Sequence, residues 1–404
     1  MKIFQSPKNK YLILRVSHFL KGFLYSLYYS FINTKREKII IFNSSCNQDF
    51  TWNSKSLFLN GNDKLRSLGY KLYFIVNDDE KRKDLTERYG NYFIDNYDKR
   101  NVRLIYSSAI WILSTLETPC SGVFLNRFRF VYHLGHGTPI KNIGLKERKP
   151  SILKRIFYYL NDTNISLYLS TSDYFAPYMK NAFGTKNEKI TTAPQPRIDD
   201  LIKDNTENIH FCFDKNKKYI LYSPTWRPYS SVKLFPFDDF NKDTLNTILN
   251  KLNIIILIRL HPRYEDDISP YLSDAIINFD THLCPDISDA LFNIDGLITD
   301  YSSIYCDYLI LKKPVRILPY DLTIYNEKIG FSHDYDELFP KDIINSNESL
   351  INFITYVSSL NDSVICPSQY ELCKKLNYQP EMMNATDYNI QIIDKEYNKK
   401  WPAE

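Results

Sequence analysis

The chain runs to 404 residues and 47.8 kDa with 44% hydrophobic and 24% charged side chains, which excludes a disordered segment and leaves room for two domains. Its net charge of +4 is unevenly placed: the first 38 residues carry eight cations against one acid, Glu37, a net +7, and the remainder carries −3. A net acidic body argues against a nucleic-acid partner, and seven scattered cysteines without a C-x-x-C pair signal neither a disulfide framework nor a zinc site and fit a reducing cytoplasm.

From the N-terminus, apolar residues recur at Val16, Phe19, Leu20, Phe23, Leu24, Leu27, Tyr28 and Phe31, the three-and-four spacing of one helical stripe. Arg15, Ser17, His18, Lys21, Ser26 and Ser30 fall on the other face. Only 13 residues between Lys21 and Lys35 lack charge, short of the roughly 20 that a spanning helix needs. The compact apolar core and small-residue cleavage site of a signal peptide are also missing. Residues 1–37 therefore read as an amphipathic basic segment lying in an anionic membrane interface, where each surface cation adds about 1 kcal/mol. The competing reading is a helix packed on its own domain.

Beyond it, short β-branched and aromatic runs predict strands at 38–42, 71–76, 109–114, 128–133, 166–170 and 189–192, then at 219–223, 254–260, 275–279, 296–299 and 315–318. Most are apolar on both faces, as parallel strands covered by helices must be. Their alternation with helical stretches predicts an α/β protein of two Rossmann-like domains facing across a cleft, the GT-B arrangement, with an N-terminal amphipathic helix. Pro194-Gln195-Pro196 and the polar stretch after it set the boundary, giving domains at 38–205 and 206–385 and a C-terminal tail at 386–404.

Four segments follow predicted strands at their C-terminal ends, where open α/β sheets bind ligands. In the first, His133-Leu134-Gly135-His136-Gly137-Thr138-Pro139-Ile140-Lys141, small glycines flank His136, whose ordinary pKa near ~6.5 suits a general base. A loop histidine beside a helix start at Thr138-Pro139 is the alternative. The second, Ser223-Pro224-Thr225-Trp226-Arg227, and the third, Arg259-Leu260-His261-Pro262, carry hydroxyl, cationic and imidazole donors suited to an anion. In the fourth, Thr299-Asp300-Tyr301-Ser302-Ser303, a strand gives way to a helix whose first N–H groups and serine hydroxyls can hold phosphate, or which is simply capped there. No Walker or G-x-G-x-x-G motif offers another nucleotide site.

The ordered set HGTPIK, SPTWR, RLHP and DGLITDYSSIYCD resembles the CDP-glycerol glycerophosphotransferases, the teichoic-acid primases and polymerases and their capsule relatives. The resemblance implies a peripheral enzyme on the cytoplasmic face of the cell membrane. It would transfer glycerol phosphate, or a related polyol phosphate, from CDP-glycerol or CDP-ribitol to a hydroxyl of a lipid-linked or polymeric glycan acceptor, releasing CMP. Residues 38–205 then form the acceptor domain and 206–385 the donor domain. His136 resembles the family's catalytic base, with Gly137 and Thr138 supporting it. Arg259, His261, Ser302 and Ser303 resemble the groups that hold the donor pyrophosphate, with Thr225 and Arg227 nearby. Asp300 would orient its loop, and Asp307 would be structural or reach the polyol. Neither a cofactor nor a metal is expected, and nothing bears on oligomeric state. A nucleotide-sugar glycosyltransferase and a non-catalytic nucleotide-binding scaffold at the membrane surface are the alternatives.

Overall fold

The computed structural model describes residues 22–205, 207, 209–260, 267–360, 367–378 and 383–402. These divide into two compact units. The first takes the described residues of Met1–His136, Pro150–Arg197 and Pro380–Glu404; the second takes Gly137–Lys149 and those of Ile198–Gln379.

The first unit is built on seven strands: β1 (Glu37–Asn43), β2 (Lys71–Ile75), β3 (Phe93–Ile94), β4 (Ser108–Leu113), β5 (Phe130–His133), β6 (Leu167–Ser170) and β7 (Ile190–Thr192). They pair in the order β3-β2-β1-β4-β5-β6-β7, every pair parallel. β4, Ser-Ala-Ile-Trp-Ile-Leu, is buried along its whole length, as a central strand with helices on both faces requires. Strand order reverses between β1 and β4, and the loops leaving such a switch point diverge and open a crevice at the strand C-termini.

The second unit holds β8 (Lys218–Ser223), β9 (Ile254–Ile258), β10 (Ile276–Asn278), β11 (Gly296–Thr299) and β12 (Val315–Ile317). Their order is β10-β9-β8-β11-β12, again parallel throughout, with the reversal between β8 and β11. Ser223 and Thr299 are register partners at that point, and the Thr299 hydroxyl donates to the Ser223 carbonyl at 2.6 Å.

All eleven strands expected from sequence are present. β3 is the addition; two residues are too short to leave a periodic signal. The chain ends differently from expectation. In place of a tail, Ala385–Lys400 forms a helix packed on the helix Trp52–Ser67, with Ile390 and Ile393 inside the first core. Asn389 anchors it, accepting from the Tyr132 hydroxyl at 2.9 Å and donating to the Pro194 carbonyl at 2.8 Å. The units meet in sequence at Arg197, eight residues before the expected boundary at 205, and residues 137–149 belong to the second.

Of the expected basic segment 1–37, residues 1–21, with Val16, Phe19 and Leu20 of its stripe, lie outside the described residues; residues 22–31 are helical. Ser26, Tyr29 and Ser30 are buried: Ser26 Oγ accepts from Val123 N at 3.2 Å, the Ser30 hydroxyl donates to the Phe124 carbonyl at 3.1 Å, and Tyr29 stacks on Tyr106 at 5.1 Å. Gly122 makes this approach possible, since a Cβ there would stand 2.1 Å from that of Ser26. The helix thus docks by its small face and leaves Phe23, Leu24, Tyr28, Phe31 and Ile32 exposed. Among the described residues no helix is long and apolar enough to cross a membrane.

Candidate functional site

In the first unit the loops after β1, β4 and β5 converge on His136. Gly135, at φ +70°, turns the chain sharply after β5 and presents the histidine with solvent access. Its Nδ1 lies 3.2 Å from the Ser114 carbonyl at the end of β4. A carbonyl can only accept, so this contact sets the tautomer with the proton on Nδ1 and the lone pair on Nε2. Nε2 has no hydrogen-bond partner among the described residues.

The surrounding protein displaces water from the ring and lowers its pKa below the usual histidine value; the Ser114 contact and Glu117 oppose this, and the Arg197 charge adds to it. His136 is therefore an uncharged imidazole near neutral pH. His133, three residues earlier, is a different case. It is buried between Tyr168 and Phe183, and burial pushes it down to about 3, so it stays uncharged and belongs to the core.

In the second unit the loops after β8 and β11 are tied together by charge. Asp300, buried, accepts from Thr225 N at 2.8 Å and from Arg227 Nη1 at 2.6 Å. Arg227 turns its other edge to Asp321, with Nε and Nη2 at 3.0 and 2.7 Å, and Asp321 also accepts from the Tyr229 hydroxyl at 3.0 Å. Tyr301, Tyr320 and Tyr325 enclose the guanidinium at 4.8 to 5.4 Å. Burial works against its charge, but Asp321 and Asp300 outweigh it and raise its pKa. With Nε and both Nη atoms engaged and no side-chain exposure, Arg227 fastens these loops and is not turned toward an anionic ligand. That differs from its expected place among the donor-binding groups. A desolvated guanidinium takes the strongest fixed acceptors available, and two carboxylates lie in reach.

The other expected residues divide by availability. Ser302 and Ser303 are half-buried and precede the helix Ile304–Ile310; Ser303 makes no capping hydrogen bond, and Ser302 Oγ accepts only a long one, 3.5 Å, from Ile304 N. The buried Thr225 hydroxyl has no hydrogen-bond partner among the described residues. Arg259 Nη1 donates to the carbonyls of Phe279 and Cys284 at 3.0 and 2.8 Å, fixing the loop after β10. Asp307 is buried in its helix, and Thr138 is buried beside Cys306. Gly137 is half-buried. No helix starts at Thr138-Pro139; the chain turns tightly there, Ile140 N donating to the Thr138 carbonyl at 2.9 Å, and Lys141 forms an antiparallel bridge with Phe331. His261 lies outside the described residues. Among those that are described, no cluster of three or more His, Cys, Asp or Glu could hold a metal.

Two groups escaped sequence reasoning. Lys141 is pushed down to about 8 by burial, Asp300 opposing the shift and Arg227 adding to it, so a second cation borders the Asp300 loop. Trp52 stacks on His136 with ring centroids 4.8 Å apart and planes at 29°. Lys141 could have been picked out by its place in the HGTPIK run; Trp52, 84 positions from its partner, left no local signal.

Residues 26–374 match the sequence family described as CDP-glycerol:poly(glycerophosphate) glycerophosphotransferase. The teichoic acid glycerol-phosphate primase of Bacillus subtilis is 32% identical over 189 residues, which are 45% of this chain and 47% of that one. A teichoic acid poly(glycerol phosphate) polymerase of Bacillus spizizenii is 26% identical over 357 residues, 82% of this chain and 87% of that one. The chain thus spans about half the length of the first relative and most of the second. Among solved structures, a variant of the wall teichoic acid polymerase TagF superposes with a TM-score of 0.69 at 18% identity, over 96% of this chain and 98% of that one, a likeness of fold.

Proposed function

The chain belongs to the CDP-glycerol:poly(glycerophosphate) glycerophosphotransferase family, and from that premise we propose that it moves glycerol phosphate, or a related polyol phosphate, from a CDP-activated donor to a hydroxyl of a lipid-linked or polymeric surface-glycan acceptor. The observation that carries this reading is His136: neutral, solvent-accessible, with Nδ1 bonded to Ser114 and Nε2 without a hydrogen-bond partner among the described residues. Nε2 takes the proton of the acceptor hydroxyl as its oxygen attacks the β-phosphorus of the donor. The bond from that phosphorus to the bridging oxygen breaks, and CMP leaves with the electron pair.

Phosphoryl transfer depends more on positioning and charge stabilisation than on covalent participation. In this reading the hydroxyls of Ser302, Ser303 and Thr225 hold the pyrophosphate, with His261 from the RLHP segment, while Arg227 keeps their loops in register. Arg259 shapes the floor of the same region through the loop after β10.

The acceptor's lipid brings in the membrane. The exposed stripe on helix 22–31 is joined by a second on the helix Ile152–Asp162, where Ile152, Leu153, Ile156 and Tyr159 face solvent beside Lys154 and Arg155. The loop that receives the first helix is tied to the end of the second through Asn164, which donates to the Gly122 carbonyl at 2.9 Å and accepts from Leu125 N at 3.1 Å. Apolar side chains rimmed by cations suit a peripheral enzyme on an anionic, cytoplasm-facing membrane surface.

His136→Asn keeps an amide able to reach Ser114 and removes the base, so turnover of CDP-glycerol should fall about 10²- to 10⁴-fold with the fold intact. Wild-type-like CMP release by this variant would overturn the assignment. Sizing the product on a lipid-linked acceptor then separates a primase, which adds one unit, from a polymerase, which builds a ladder. Running CDP-glycerol beside CDP-ribitol identifies the polyol.

A further inference from the structure

Three consecutive residues at the start of the helix Trp52–Ser67 each grip a different part of the histidine turn. Trp52 lays its indole on the imidazole of His136, 4.8 Å between centroids. Asn53, fully buried, donates to the carbonyl of Gly135 at 2.9 Å and to Gln195 Oε1 at 3.1 Å, and accepts from Arg197 N at 3.3 Å. Ser54 N donates to Ser114 Oγ at 2.8 Å, and that hydroxyl donates back to Ser54 Oγ at 2.7 Å. Ser114 is the residue whose carbonyl faces His136 Nδ1. One helix start therefore holds the ring face, the peptide before the histidine and the residue that sets its tautomer.

The backbone shows that this grip overrides local preference. Trp52 has φ +63°, a left-handed conformation that a bulky side chain adopts only where its surroundings impose it. Its indole is only half-buried, so the conformation is not explained by the need to hide the ring. What it accomplishes is to bring the indole face over a solvent-accessible imidazole that is also held by the 3.2 Å contact of Nδ1 with the Ser114 carbonyl.

We propose that Trp52 is a positioning residue for His136, confining the imidazole to the orientation in which Nδ1 meets the Ser114 carbonyl and Nε2 points to the acceptor hydroxyl. This rests on the reading of His136 as the base. Misplacement of a reacting group by about 1 Å can cost a hundredfold in rate, so a ring released from its stack should lose turnover while substrate binding persists.

The experiment uses the full chain with Trp52→Leu, Trp52→Phe and His136→Asn. Trp52→Leu should lower kcat about 10- to 100-fold with KM within about threefold, and Trp52→Phe, which restores an aromatic face, should recover kcat to within about threefold of the parent. The imidazole C–H proton resonances of His136, assigned by their disappearance in His136→Asn, should lie upfield in the parent from the indole ring current. They should move downfield in Trp52→Leu. Should the leucine variant fail to fold, the phenylalanine variant carries the test, because its weaker ring current must still reduce the upfield shift.

Unchanged kcat in a folded Trp52→Leu protein overturns the proposal, as does an unmoved His136 resonance in either variant. A rise in KM with kcat preserved overturns it too, since Trp52 would then be a substrate contact. If His136→Asn remains active, the base assignment fails on its own, and the resonance shift still reports whether Trp52 holds the ring.

Discussion

Arg227 and the serine pair Ser302 and Ser303 were grouped together by sequence, yet they should respond oppositely to substitution. Removing the guanidinium leaves Asp300 and Asp321 facing each other with no cation between them in a buried setting. Breaking a buried pair from one side typically costs about 3–5 kcal/mol. Arg227→Ala should therefore lower the urea midpoint markedly, and its loss of activity should follow the loss of folded protein. Ser302→Ala and Ser303→Ala remove hydroxyls that make little or no bond to the described residues. They should leave the urea midpoint unchanged and raise KM for the CDP-linked donor. A Ser302→Ala, Ser303→Ala double variant with parental KM would take the pyrophosphate away from this loop. Sequence could mark all three residues as chemical because polar side chains follow a buried strand; it could not show which already had partners. Asp321, the second acceptor for Arg227, lies 94 positions away, and only the fold brings it there.

At the level of elements, the runs that became strands were legible because parallel strands covered on both faces are apolar without alternation, and β1, β4, β8 and β9 are of that kind. Of the expected N-terminal helix, residues 22–31 are described. The sequence allows its apolar stripe to face lipid or to pack on the domain; Gly122 admits the serine face, and Phe23, Leu24, Tyr28 and Phe31 stay exposed. That outward face makes a direct test possible. Leu24 and Ile32, 75% and 73% exposed, can each be changed to Glu without touching the docked face. The double variant should keep its thermal midpoint and lose sedimentation with anionic liposomes. Parental protein should also be released as salt rises, since the screening length falls to about 10 Å at 0.1 M. If the double variant sediments as before at low salt, the stripe is not a lipid contact.

For the whole molecule, the chain does not divide into consecutive domains. The last described helix, Ala385–Lys400, returns to the sheet formed by the first half and completes its core. In sequence this stretch reads as a tail because the apolar residues it buries, Ala385, Ile390 and Ile393, are too few to draw a stripe among their polar neighbours. Its attachment is nonetheless specific: Asn389 joins the Tyr132 hydroxyl on β5 to the Pro194 carbonyl, so the strand that delivers His136 is braced by residues more than 250 positions later. Ile393→Ala should cost about 2–5 kcal/mol from lost burial and the cavity left behind. Asn389→Ala should cost about 1–3 kcal/mol, because it strands a buried hydroxyl and a carbonyl. Asp387→Ala removes only a half-exposed ion pair with Lys64 and should cost less than about 1 kcal/mol. Urea titration of the three full-length variants reads this ranking directly. If the C-terminal helix were an appendage, all three would match the parent; as part of the first unit, the isoleucine and asparagine variants must fall well below the aspartate one.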